Sequence, residues 1–170
     1  MNWIRRIFIV SAVFVVGGMA SLINVHAETY GDYEYEINAD GKTVTITKYM
    51  KEDEYDPETG WTIVDNNPLY IPASIEGRKV TIIGEESFKG ILGNSNIVIP
   101  NGVEQIGLSA FEGMYNLTSV SLPNTLKVIG QTAFFDCMDL SVITLPDSLE
   151  EIGDNAFGYT NISSCLLYTS

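Results

Sequence analysis

The sequence predicts a β-rich solenoid, with one short parallel strand per 23-residue coil and a β-hairpin cap in front. Three observations carry this. Gly84, Gly107, Gly130 and Gly153 are 23 residues apart, as are Phe88, Phe111, Phe134 and Phe157, and Pro100, Pro123 and Pro146 keep the same period. Around the prolines the chain alternates apolar and polar residues, the pattern of a strand with one buried face. Ahead of the repeats, two further alternating stretches flank an Asn-Ala-Asp-Gly turn signal. A coil this short cannot bury its own apolar side, so like coils must stack and lay like residues over one another.

The chain opens with a different texture. Arg5 and Arg6 precede a nearly unbroken apolar run, Ile7 to Ile23, and Val25-His26-Ala27 ends it with the small Ala27 and, two residues before it, the compact Val25. Charge, apolar core and small-residue site in that order read as a secretory signal peptide over residues 1–27, cleaved after Ala27. The other reading of the run is an uncleaved anchor at the short edge of what spans a bilayer. The Gly17-Gly18 break and Ala27 favour cleavage.

Residues 28–66 read as an N-terminal cap with an acidic loop. Tyr33-Glu34-Tyr35-Glu36-Ile37 and Thr43-Val44-Thr45-Ile46-Thr47 alternate on either side of Asn38-Ala39-Asp40-Gly41, which predicts a hairpin covering the first open coil. The loop Lys51-Glu52-Asp53-Glu54-Tyr55-Asp56-Pro57-Glu58-Thr59-Gly60-Trp61 offers the oxygen ligands that Ca²⁺ prefers. It lacks the D-x-[DN]-x-[DN]-G spacing and is interrupted by Pro57, so it reads as a solvated loop with no metal assigned.

Residues 67–164 are the array. Leu69-Tyr70-Ile71-Pro72 reads as the first strand and Ile75 to Val80 as a small excursion before Ile83-Gly84. The clearest coils run Asn101 to Pro123 and Asn124 to Pro146, and a third starts at Asp147. Apolar residues recur in register: Val103, Leu126, Leu149; Ile106, Ile129, Ile152; Ala110, Ala133, Ala156; Val120, Ile143. Proline ends each strand because it cannot donate to a ladder. The recurrent glycine suits either a positive φ or close backbone packing. Leu117, Val120, Leu122, Pro123, Leu126, Ile129, Gly130, Ala133, Phe134, Cys137 and Leu140 follow in order the pattern of the BspA-like leucine-rich repeats, which this chain resembles from about Leu69 to Ile162. The resemblance implies a secreted or cell-surface protein that works in adhesion or in binding other proteins, and a leader hairpin ahead of the array.

Residues 165–170 depart from the pattern. Cys165-Leu166-Leu167-Tyr168-Thr169-Ser170 has no strand-ending proline, and it reads as a non-native tail on the opening part of a longer protein. Cys137 and Cys165 are 28 residues apart, not a whole number of coils, so they do not share a slot. Both a pair and two separate thiols remain open. Ile91, Met114 and Thr160 occupy the slot of Cys137, so that thiol is expected to be buried packing.

Composition narrows the function. Cleavage after Ala27 leaves 7 basic against 22 acidic residues, a net charge of −15, and removes the single histidine. Such a surface repels nucleic acid and anionic membrane and favours basic partners. Without imidazole there is no Ser-His or Cys-His nucleophile and no histidine-ligated metal. No catalytic residue, metal ligand or cofactor is assigned, and no membrane insertion is expected after cleavage. The expected function is an exported binding module for an extracellular protein or glycan. The candidate ligand face is the outward side of the strands: Pro68, Tyr70, Asn96, Val98, Ser119, Ser121, Val142 and Thr144. The alternative is that the repeats are a spacer or appendage of a larger surface protein or enzyme.

Overall fold

The computed structural model describes residues 11–12, 25–51, 56–60, 68–163 and 166–167. Most of residues 1–27, part of the acidic loop, and Cys165 therefore lie outside the described residues. Fifteen strands occur among those described: β1 (Ser11–Ala12), β2 (Val25–His26), β3 (Glu28–Tyr30), β4 (Tyr33–Ile37), β5 (Thr43–Tyr49), β6 (Leu69–Tyr70), β7 (Ser74–Ile75), β8 (Arg78–Ile83), β9 (Asn96–Val98), β10 (Gln105–Ile106), β11 (Ser119–Ser121), β12 (Val128–Ile129), β13 (Val142–Leu145), β14 (Glu151–Ile152) and β15 (Leu166–Leu167). The first two form a short antiparallel pair of their own.

Each coil contributes two strands, not one. The longer strands make the parallel sheet β15-β13-β11-β9-β6. The second set, β14-β12-β10-β8, continues into β5-β4-β3 as one eight-stranded sheet, with β7 paired to β8 at the side. The sequence expectation of a single strand per coil captures the first sheet and misses the second. Gln105-Ile106 and Val128-Ile129 are too short to alternate visibly, but they pair in register one coil apart. The segment from Ile75 to Val80 is likewise no mere excursion. Ser74–Ile75 folds back on Arg78–Lys79 through Glu76 and Gly77, both at positive φ. β8 then joins the antiparallel β4–β5 hairpin to the repeats, pairing parallel to β5 on one side and β10 on the other.

The core is the stack of like residues. Val103 and Leu126, Ile106 and Ile129, Ala110 and Ala133, Leu117 and Leu140 are all fully buried. Phenylalanine rings form a continuous column, with centroids 5.1 Å apart from Phe88 to Phe111 and from Phe111 to Phe134, and 5.4 Å apart from Phe134 to Phe157. Tyr49 begins the column on Phe88 at 5.2 Å. Each such ring pair adds about 0.5–1.5 kcal/mol beyond area burial. In the edge strand β14, Ile152 is 47% exposed where Ile106 and Ile129 are buried.

The recurrent glycines serve close approach. A Cβ on Gly107 would lie 2.8 Å from the backbone N of Glu85, and on Gly130 it would lie 2.6 Å from the carbonyl carbon of Gly107. Each of these glycines also donates to the preceding coil, Gly107 N–H to Ile83 O and Gly130 N–H to Ile106 O, both at 2.8 Å. Positive φ falls elsewhere in the coil. Glu86, Ser109, Thr132 and Asn155 hold φ of 51–53°, and Gly90, Gly113, Asp136 and Tyr159 form a second left-handed row.

Candidate ligand-binding face

The strand sheet β6-β9-β11-β13 owes its face to simple alternation. Ile97, Val120 and Ile143 point inward and are buried, so their neighbours point out. Parallel pairing then aligns those neighbours in rows. Asn96, Ser119 and Val142 are successive partners, as are Tyr70, Val98 and Ser121. All the residues nominated from sequence lie on this outward side. Tyr70 is 68% exposed and Val142 62%; Pro68 and Ser121 are exposed, and Asn96, Val98, Ser119 and Thr144 are half-buried.

The rows differ in chemistry. Asn96 and Ser119 are engaged with each other, Ser119 Oγ donating to Asn96 Oδ1 at 2.5 Å, while Asn96 Nδ2 donates to Ser95 Oγ at 3.0 Å. Ser119, Ser121 and Thr144 meet at a shallow depression of about 360 Å³, completed by Leu122, Asn124 and Pro146. Sequence reasoning missed these last three. They lie where the strand gives way to the turn, and only the offset between coils brings Asn124 beside Thr144. None of the outward strand residues carries a charge. The second sheet contrasts with them: Glu104, Lys127, Glu150 and Glu151 are exposed along it, with Lys127 bonded to Glu104 at 2.7 Å. That carboxylate holds the lysine above its ordinary value.

Reactive groups are secluded. Cys137 is buried, its Sγ donating to Phe111 O at 3.2 Å, and burial pushes the thiol up to about 12. This is the packing thiol expected from the apolar slot. Burial also raises the hydroxyls of Tyr33 and Tyr35, the latter with help from Glu28, to which it donates. Among the described residues no group of three His, Cys, Asp or Glu side chains is placed to hold a metal ion. In the acidic loop, Asp56 is turned to its own backbone, accepting from Glu58 N–H at 2.8 Å.

The coil geometry agrees with a family model. The model for the BspA type leucine-rich repeat region matches residues 71–170 in 6 copies. The chain belongs to this family. Solved leucine-rich repeat structures agree. One from Bacteroides capillosus ATCC 29799 is 30% identical, with 83% of this chain and 97% of that chain covered and a TM-score of 0.67. Another, from Bacteroides ovatus ATCC 8483, is 25% identical, with 79% of this chain but 33% of that one covered and a TM-score of 0.63. The T. pallidum leucine-rich repeat protein shares the fold at 24% identity, with a TM-score of 0.59 and 79% and 68% of the two chains covered. No curated protein matches the chain. Leucine-rich repeat arrays are protein-interaction scaffolds whose stacked strands present extended binding surfaces.

Proposed function

We propose that this chain is an exported, non-catalytic binding module, secreted or held at the cell surface, that attaches to an extracellular protein or glycan through the sheet β6-β9-β11-β13. The observation that carries this is the uncharged outward face itself. In a chain with 22 acidic residues, the rows Tyr70-Val98-Ser121 and Asn96-Ser119-Val142 hold none. A continuous parallel ladder holds them rigid, so little ordering cost attends binding. Residues 1–27, read as a signal peptide, support export. A working life by binding fits a chain with no histidine after residue 26 and a secluded thiol.

The test is adhesion of the purified protein to immobilised matrix proteins and neutral polysaccharides. Replacing Val142 and Thr144 together by Glu should lower binding to at least one of these surfaces by about tenfold, the scale of losing a central contact. Equal binding of variant and parent to every surface would instead favour a spacer.

A further inference from the structure

A second surface, on the turn side of the coils, has a different chemistry. There the residue after each column phenylalanine faces outward: Lys89, Glu112, Phe135, Gly158. The first two are joined across coils, with Lys89 Nζ 3.4 Å from Glu112. The third coil puts a half-buried phenylalanine in the same place. Its ring covers Gly158, where an added Cβ would lie 2.8 Å from Phe135 Cδ2, and it meets Tyr159 edge-on at 5.1 Å.

Tyr159 itself occupies a left-handed slot, at φ 56°, that two other coils fill with Gly90 and Gly113. A bulky residue in that conformation costs folding energy, and the side chain, in the last described coil, is 73% exposed. The row continues into the second coil. Gly113 N–H donates to Phe135 O at 2.9 Å, and the Tyr115 hydroxyl lies over Gly113. Tyr115 and Met138, one coil apart in the same slot, are 44% and 54% exposed. Phe135 and Tyr159 thus depart from their slots, and beside them Tyr115 and Met138 keep the apolar character of Leu92 in theirs while remaining exposed. Half-buried Asp136 follows Phe135 and exposed Asp139 follows Met138 in the chain, and neither joins the salt bridges among the described residues.

Aromatic and methionine side chains are the residues enriched at interfaces, and ring faces beside free carboxylates suit a cation on an apolar stem. We infer that Tyr115, Phe135, Met138 and Tyr159 form a docking site for a cationic, aromatic-rich polypeptide segment, separate from the uncharged strand face. The carboxylates of Asp136 and Asp139 receive its basic groups, and its aromatic side chains pack on the exposed rings.

The test titrates the purified protein calorimetrically with two end-blocked hexapeptides of equal charge, alternating Arg-Trp and alternating Lys-Ser. The Arg-Trp peptide should bind tighter by about tenfold or more. The variant Phe135→Glu with Tyr159→Gly uses residues that other coils of the array already carry in those slots, Glu112 and Gly90 or Gly113, so the fold is retained, as an unchanged circular dichroism spectrum will show. It should lose that preference although it gains a negative charge. Val142→Ala with Thr144→Ala should leave the titration unchanged. Equal affinity for the two peptides, no heat from either, retained affinity in the first variant, or loss in the second would each overturn the proposal.

Discussion

Replacing Gly130 with alanine should destabilise the array far more than the loss of a glycine suggests. The new Cβ would lie 2.6 Å from the carbonyl carbon of Gly107, 2.8 Å from its oxygen and 2.8 Å from the N of Leu108. All three are backbone atoms of the preceding coil, so no rotamer change can make room. The two coils must part, which stretches the Gly130 N–H to Ile106 O bond and loosens the ring column beside it. Overpacking of this kind costs about 1–3 kcal/mol, and three contacts with unyielding backbone of the preceding coil place Gly130→Ala near 3 kcal/mol. For a chain of this size each kcal/mol moves the melting temperature by about 2–4 °C, so a fall of roughly 10 °C is expected by circular dichroism or scanning calorimetry. Gly113→Asn is the matched control. Its Cβ meets nothing closer than 3.8 Å, and asparagine tolerates the left-handed φ of 73°, so the change should cost about 1 kcal/mol or less. If Gly130→Ala melts no lower than Gly113→Asn, the recurrent glycine is not there for coil contact and the reasoning fails.

Two further predictions concern titratable groups, one buried and one in an exposed turn. In a Cys165→Ser background the Cys137 thiol, buried and pushed up to about 12, should resist a disulfide reagent at pH 8 until denaturant is added; stoichiometric labelling of the native protein would contradict its placement. Asp40 accepts from Lys42 N–H, Thr43 N–H and Thr43 Oγ1 at 2.8–2.9 Å, which holds its carboxyl below the ordinary value. A lowered folded value means stability that is present above the unfolded value and is lost as the pH falls through the folded one. Asp40→Asn should therefore flatten the acid limb of the melting-temperature profile below about pH 4, and an unchanged limb would show that the turn carries no such linkage.

Much of this architecture is legible in the chain because a solenoid repeats its contacts. A column of phenylalanines at one slot can be read from residue spacing alone, since stacked coils bring like positions together. The strand faces follow from alternation, and Ile97, Val120 and Ile143 turn inward accordingly. The same reasoning passes over β8, because its partner β5 lies outside the repeats, although Ile82 and Ile83 pair with Gln105 and Ile106 one period on. It passes over the second sheet, whose repeat strands β10, β12 and β14 are two residues long. The turn-side aromatics escape it as well: Phe135 and Tyr159 replace charged residues and glycines, so a search for periodicity treats them as noise.

The sequence by itself determined the period, the residue in each core slot and the family, because those depend only on like residues lying over like. Tertiary structure decided the rest. It showed that the periodic glycines admit a neighbouring backbone, with positive φ falling two and six residues later. It placed Asn124 beside Thr144, and Phe135 over Gly158 against Tyr159. These are meetings of unlike positions, and they are set by the offset between coils and the direction of each side chain, which a one-dimensional pattern does not contain.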